Sequence, residues 1–496
     1  MMRTIDHWIA GAPARGVSGR TAPVWQPATG VPQAEVPLGG TAEVNDAVAA
    51  ALKAYDTWSG MSLTRRVRVL FAFRDLLERH EDELARIVAA EHGKTIDDAR
   101  GEVVRGREVV DFACGIPHLL KGGYSPQVST GVDSHSLREP VGVCAGITPF
   151  NFPVMVPLWM HPIAIACGNT FVLKPSERDP SASMRVAELY AEAGLPEGVF
   201  NVVHGDKTVV DALLDHPDVA AVSFVGSTPV AEYVYGRGTA AGKRVQALGG
   251  AKNHAVVLPD ADLDDTVRQI ASAAFGSAGQ RCMALSAVVA VGDVADPLVD
   301  RLAAAARSVR VGPADDPRSE MGPLISTAAR DRVVDLVGQG VTAGARLVVD
   351  GREAHPGDGF FVGPCLFDHV TPDHPIYQEE IFGPVLVVLR AATFEDAIAL
   401  VNGSPYGNGT ALFTSSGEAA RRYERQVGVG MIGINVPIPV PMAYYSFGGW
   451  KASLFGDTHV HGAEGVAFYT RGKVVTSRWP RPQTAERVSY RFPQAE

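Results

Sequence analysis

Val67, Leu70, Phe73 and Leu77 fall three or four positions apart, the spacing of one face of a helix. They lie in SLTRRVRVLFAFRDLLERHEDELARIVAAEHGKT (62–95), read as helical. TAEVNDAVAAALKAYDTWSG (41–60) precedes it, with Thr41 as the expected cap and Glu43 in the first turn. DDARGEVVRGREVVDFACGIPHLL (97–120) follows as a third long helix, so the first third of the chain is expected to be helical. KGGYSPQVSTGVDSHSLREP (121–140) breaks the pattern.

From Val141 short β-branched runs alternate with helical segments: VGVCAGI, TFVLKPS, VFNVVHG and VAAVSFVGS, with SASMRVAELYAEAG between two of them. That alternation predicts a parallel sheet with helices on its faces. A second such block begins at Asn253 with NHAVVLP, LDDTVRQIASAAFG and LSAVVAVG, and continues through RLVVDG, PVLVVLRA and TALFTSS. Two doubly wound α/β domains are therefore expected. EGVAFYTRGKVVTSRW (464–479) shows no helical period and is expected to be an extended arm.

Length and charge narrow the function. At 496 residues the chain exceeds one ordinary domain. A net charge of −10 without a basic block argues against a nucleic-acid or membrane-surface partner. The N-terminus MMRTIDHWIAGAPARG has no uninterrupted apolar stretch, so no signal peptide is expected. No run approaches the ~18 apolar residues of a membrane span. A cytoplasmic location is the expectation.

The cysteines are Cys114, Cys144, Cys167, Cys282 and Cys365, widely spaced and odd in number, so neither a disulfide framework nor a zinc site is expected. Four lie in apolar or small-residue contexts and read as core. Cys282, in FGSAGQRCMALS, follows an arginine and a glycine-containing loop, a setting that favours thiolate. Locally it reads equally as packing or as a nucleophile.

Other stretches carry candidate chemistry, each with a plainer reading beside it. Gly226 and Ser227 close a strand and open a helix, where free N–H groups meet phosphate, or simply make a turn. Lys174 and Glu177 follow another strand, where a carboxylate suits a ribose diol; an ordinary surface ion pair fits as well. Asn151 is an amide placed to donate to an oxyanion, or a turn residue. Glu380 and Phe382 precede a Gly-Pro turn, otherwise an ordinary acidic loop. His459 and His461 form an HxH pair with no third ligand nearby, and no metal is expected.

Taken in order, TPFNFP, LKPSE, FVGS, GGAKN, GQRC and EIFGPV span positions 148 to 385, and with them the chain resembles the aldehyde dehydrogenase superfamily over nearly its full length. The resemblance implies an α/β fold with a Rossmann-like NAD-binding domain (1–120 and 141–252), a catalytic α/β domain (253–440) and a β-arm for oligomerisation (121–140 and 465–496). It implies that Cys282 is the nucleophile and that Asn151 and the Cys282 N–H form the oxyanion hole. Lys174 and Glu177 would hold the adenine ribose, Ser227 the pyrophosphate and Glu380 the nicotinamide ribose, with Phe382 close by. Thr148, Phe150, Arg178, Gly226 and Gly249 complete the implied cofactor-binding set.

Most of these dehydrogenases carry Glu-Leu-Gly-Gly where this chain reads QALGG, so Ala247 replaces the glutamate that activates water. Alanine is no base, and a thiol such as coenzyme A is then the expected acyl acceptor. The pattern is similar to the CoA-acylating methylmalonate-semialdehyde dehydrogenase subgroup, through stretches such as RGREVVDFA, FGSAGQRCMA and FYTRGKVVTSRW. That likeness implies Arg105 and Arg281 as the substrate-carboxylate ligands, although Arg105 by itself reads as a helix-surface charge. Ala231 and Thr228 depart from the subgroup's usual glycine and lysine.

The expected activity is NAD-dependent oxidation and decarboxylation of methylmalonate or malonate semialdehyde to propionyl-CoA or acetyl-CoA, CO2 and NADH. The pKa of Cys282 is expected to be lowered by its arginine, by backbone dipoles and by the nicotinamide cation. A homotetramer, as a dimer of dimers, is expected. The alternatives are a hydrolytic dehydrogenase giving a free acid, against which Ala247 counts, and a binding protein that has lost the chemistry, against which Cys282, Asn151 and Glu380 count.

Overall fold

The computed structural model describes residues 2–353 and 357–479. Two sheets carry most of the core. In the first, five parallel strands lie in the order Arg244–Leu248, Val219–Val225, Val143–Ile147, Thr170–Lys174 and Phe200–Val202. Antiparallel strands close both edges, Leu454–Phe455 on one side and His7–Ile9 with Ala12–Ala14 on the other. The strands Val143–Ile147 and Thr170–Lys174 are buried at every position, the pattern of a parallel sheet covered on both faces. One face packs on helices Thr41–Ser59, Lys207–Asp215 and Thr228–Ala240. The other packs on Leu63–Arg79, Glu81–His92, Ile96–Cys114, Met155–Ala166 and Ser181–Glu192.

The second sheet runs in the order Arg346–Val349, Cys365–Asp368, Val385–Ala391, Leu285–Val291, Asn253–Val257, Gly409–Phe413 and Met431–Ile434. All of it is parallel except its first strand. A separate ribbon joins Tyr124–Ser129, Val132–Pro140 and Thr470–Arg478, and Val474 on it is exposed. The α/β fold expected from the sequence is present. Residues 480–496 of the expected arm lie outside the described residues.

Several local expectations are corrected. The first third is not wholly helical, because five short strands occupy 3–37. They run two to seven residues and include Pro13, Pro23, Pro32 and Pro37, too short and interrupted to show a period. The 62–95 stretch is two helices, broken at His80, whose φ of −105° and ψ of 16° leave the helical region. Gly40, not Thr41, caps the first long helix, and Glu43 reaches back to accept its N–H at 2.8 Å. The tail begins as a helix, Gly462–Phe468, whose seven residues are too few to display periodicity.

The strands of the first sheet end together at one edge. Thr148–Val154, Lys174–Pro180, Gly226–Thr228 and Gly249–Asn253 leave those carboxyl ends, where open α/β sheets bind ligands.

Candidate active site

The loop into Cys282 passes through three successive left-handed residues, Ser277 (φ 54°), Ala278 (φ 51°) and Gly279 (φ 70°). For Ser277 and Ala278 this conformation costs about 1–2 kcal/mol each, so the surroundings must impose it. Gly279 shows how: a β-carbon there would lie 2.1 Å from the Gly383 carbonyl oxygen. The loop thus rests on the EIFGP turn, where Phe382 is itself left-handed at φ 56°. The Cys282 carbonyl accepts from the side-chain amides of Asn253 at 2.9 Å and Asn408 at 3.2 Å, which fixes the cysteine to the strand ends of the second sheet.

Cys282 is half-buried, and a small cavity at its side is lined by Arg281, Asn253, Glu380 and Phe382. The other four cysteines are buried, as expected. The expected thiolate-favouring setting is corrected. Burial pushes the Cys282 thiol up to about 12, Glu380 adds to the rise, and the N–H groups of Cys282 and Met283 with Arg281 offset only part of it. Arg281 and the backbone N–H groups act in the expected lowering direction, but burial outweighs them, and Arg281 Nη2 is paired with Asp98 Oδ1 at 2.5 Å.

Asn151 is buried on the turn after Val143–Ile147. Its carbonyl accepts from Lys94 Nζ at 2.7 Å, and Lys94 also donates to Glu102 Oε2 at 2.8 Å with both side chains fully buried. The other Glu102 oxygen accepts from the N–H groups of Val154 and Met155 at 2.8 and 3.2 Å, satisfying the start of helix Met155–Ala166.

Lys174 and Glu177 pair at 3.0 Å, and the Lys174 carbonyl accepts from the Thr148 N–H at 3.1 Å. Burial pushes Glu177 up, but Lys174 and Arg178 outweigh it and hold the carboxyl below its usual range. Arg178 lies over the Phe150 ring at 5.3 Å. That ring meets Phe382 edge-on at 5.8 Å and stacks with buried His92 at 6.0 Å, so Phe150 joins the edge of the first sheet to the EIFGP turn.

Ser227 precedes helix Thr228–Ala240; Pro229 carries no N–H and the Val230 and Ala231 N–H groups donate to the Ser227 carbonyl at 3.1 and 2.9 Å, so Thr228 presents the first N–H of the helix. Thr228 acquires a structural role: its hydroxyl accepts from the Gly250 N–H at 2.8 Å and donates to the Ala452 carbonyl at 3.4 Å. Gly249 donates to the Ser453 carbonyl at 3.0 Å, and a β-carbon there would sit 2.7 Å from the Ala452 oxygen. Glu380 Oε1 accepts from the Ala251 N–H at 2.9 Å, while a β-carbon on Gly250 would fall 2.2 Å from Glu380 Oε2. Burial raises the Glu380 carboxyl. Lys252 donates to the carbonyls of Ile376 and Glu379 at 3.0 and 2.8 Å and so holds the segment carrying Glu380. Ala231 and Ala247 are both fully buried in one apolar cluster with Phe224 and Val245.

Arg105 is exposed, with Nη1 2.9 Å from Glu108 Oε2 and 3.5 Å from Met442 Sδ. Asp98, the partner of Arg281, lies on the same helix, Ile96–Cys114. Seven residues are nearly two turns, which puts Asp98 and Arg105 on one helical face. His459 pairs with Glu464 at 3.1 Å and His461 packs on Trp159 at 5.6 Å; no cluster of three metal-ligating side chains occurs among the described residues.

The structure therefore gathers Cys282, Arg281, Glu380 and Phe382 at one cavity and ties Thr148, Phe150, Lys174, Glu177 and Arg178 together at the sheet edge. The sequence reading missed Lys94, Asp98, Glu102 and Asn408. It quoted Asn253 within GGAKN without assigning it a role.

This architecture, a cysteine loop of one α/β sheet set against the carboxyl edge of another, is that of the aldehyde dehydrogenase family, to which the chain belongs; the family profile matches residues 15–475. The chain is 53% identical to malonate-semialdehyde dehydrogenase of Pseudomonas aeruginosa, covering 99% of this chain and 100% of that one. It is 54% identical to methylmalonate-semialdehyde dehydrogenase of Oceanimonas doudoroffii, whose crystal structure superposes with a TM-score of 0.96 over 97% of this chain and 99% of that one. A Sinorhizobium meliloti protein crystallised with NAD is 51% identical, again with a TM-score of 0.96 and coverage of 97% and 99%.

Proposed function

We propose that this enzyme oxidises malonate or methylmalonate semialdehyde with NAD and transfers the acyl group to coenzyme A, with loss of CO2. The relatives' names support the substrate class, and the S. meliloti complex supports NAD. The residues fit a dinucleotide: a carboxylate held by Lys174 at the sheet edge, the helix start after Ser227, and Gly250 packed against Glu380. When bound, the dinucleotide supplies the hydride acceptor.

The chain's own residues do the rest. The Cys282 thiol gives up its proton to water, its sulfur bonds to the aldehyde carbon as the carbonyl pair moves to oxygen, and the Asn151 amide and the Cys282 N–H receive the oxyanion. Oxidation leaves an acyl thioester on Cys282. A β-carboxylate then departs as CO2, its bonding electrons taken up by the thioester carbonyl, and the α-carbon is protonated. The thiol of coenzyme A attacks the thioester, forms the new C–S bond and returns Cys282 as thiol.

The observation that carries the acylating assignment is that strand Arg244–Leu248, which ends beside Cys282, bears no carboxylate. Leu248 lies in the core cluster against which Cys282 packs, and Ala247 is fully buried on the opposite face among Phe224, Ala231 and Val245, so neither position offers a base to water. Incubation with each semialdehyde, NAD and coenzyme A, followed by mass spectrometry, tests the assignment. Acetyl-CoA or propionyl-CoA is expected; a free acid as the main product contradicts it.

The exposed ribbon of 124–140 and 470–478 supports a homotetramer built through this arm, and the reading includes a cytoplasmic enzyme. Light scattering at the column peak checks the assembly, with four chains expected.

A further inference from the structure

We propose that Asp98 is a positioning residue of the substrate-carboxylate clamp, holding the Arg281 guanidinium so that one edge of its fork faces the incoming carboxylate. This rests on the semialdehyde reading above.

Asp98 Oδ1 accepts from Arg281 Nη2 at 2.5 Å, and both side chains are 19% exposed. Gly276 lies against the same guanidinium: a β-carbon there would lie 2.7 Å from Nη1 and 2.9 Å from both Cζ and Nη2, so only a glycine at 276 leaves the group room. Nη2 is the one guanidinium nitrogen with a hydrogen-bond partner among the described residues. A guanidinium has five N–H donors in a planar fork, so most of Arg281's donors stay available for a second carboxylate.

Asp98 is itself fixed. Its N–H donates to the Thr95 side chain at 3.3 Å at the start of helix Ile96–Cys114, where the helix dipole favours an acidic group. The same helix treats the other candidate clamp residue alike, since Glu108 holds Arg105 at 2.9 Å. Each arginine thus has a carboxylate from one helix on one edge. Arg281, which is largely buried, also gains charge compensation from Asp98, so its cation is not buried without a partner.

The reading makes Asp98 an aid to substrate rather than a competitor for Arg281. In Asp98→Ala the ratio of KM for malonate semialdehyde to KM for propanal should rise about tenfold, as a loose fork loses alignment. Asp98→Asn keeps an oxygen acceptor and should recover most of the ratio. Asp98→Glu, which preserves the ion pair but shifts it by one methylene, should raise the ratio and serves if the alanine variant does not fold. A ratio that falls or stays level in Asp98→Ala, or in Asp98→Glu where that variant stands in, overturns the proposal. Arg281→Leu, run alongside, should raise the same ratio at least as much. If Arg281→Leu leaves it level, the semialdehyde reading itself fails; if Arg281→Leu raises it and Asp98→Ala does not, only the role of Asp98 fails.

Discussion

The Lys94 ammonium donates a 2.7 Å hydrogen bond to the main-chain oxygen of Asn151, so the turn presenting the candidate oxyanion-hole amide is held by a fully buried charge. Lys94→Met removes that grip and leaves Glu102 buried without its partner. Breaking a buried pair from one side costs about 3–5 kcal/mol. Urea unfolding should show a loss of that size, and in the folded fraction kcat should fall more than KM. An unchanged kcat would show that the turn keeps its place without Lys94.

Glu380 and Gly250 are in contact to the point that no β-carbon fits between them. Gly250→Ala must therefore displace the Glu380 carboxylate. Overpacking costs about 1–3 kcal/mol, and if Glu380 holds the nicotinamide ribose, NADH binding should weaken by about five- to a hundredfold. Fluorescence titration with NADH checks this; unchanged affinity removes Glu380 from the cofactor site.

The Cys282 thiol, pushed up to about 12 by burial, is protonated in the free enzyme at neutral pH. Its thiolate fraction grows as pH rises towards that value. Iodoacetamide alkylation of Cys282 should accelerate about tenfold per pH unit between about pH 7 and 10, and at fixed pH NAD should accelerate it by placing a positive charge nearby. Peptide mass spectrometry separates Cys282 from the buried cysteines. A rate flat with pH would mean that the thiol is already ionised without cofactor.

Lys174 and Arg178 hold the Glu177 carboxyl below its usual range, and if the adenine ribose lies against it a 2′-phosphate would face negative charge. The enzyme should prefer NAD, and Glu177→Gln should reduce the NAD-to-NADP ratio of kcat/KM about tenfold. Wild-type kinetics equal for both cofactors would contradict this placement.

The elements legible in the sequence are those whose apolar pattern is periodic or unbroken. Leu70, Phe73 and Leu77 are buried on one helix face with Val67 half-buried beside them, and the fully buried strand Val143–Ile147 reads as a continuous run of apolar and small residues. The N-terminal strands stayed hidden because they are short and proline-interrupted. At the site, Cys282, Asn151 and Glu380 stood out through the order of their motifs rather than by local physics. Lys94 in EHGKT looks like a helix-end lysine, and its burial arises from a contact with Asn151, 57 residues away. Asp98 looks like ordinary first-turn acid, its partner Arg281 being 183 residues distant. Burial explains the raised thiol: Arg281 lowers it as adjacency suggests, but the desolvation of Cys282 outweighs that.

The acylating assignment is tested most directly by stopped-flow NADH formation from malonate semialdehyde without coenzyme A. Removing a general base typically costs about 10²–10⁴ in rate. With Leu248 and Ala247 at the end of the strand beside Cys282, no base there serves water, so a burst of about one NADH per active site followed by slow drift is expected, and coenzyme A should restore turnover. Cys282→Ala should show no burst. Rapid multiple turnover to a free acid without coenzyme A would contradict the account.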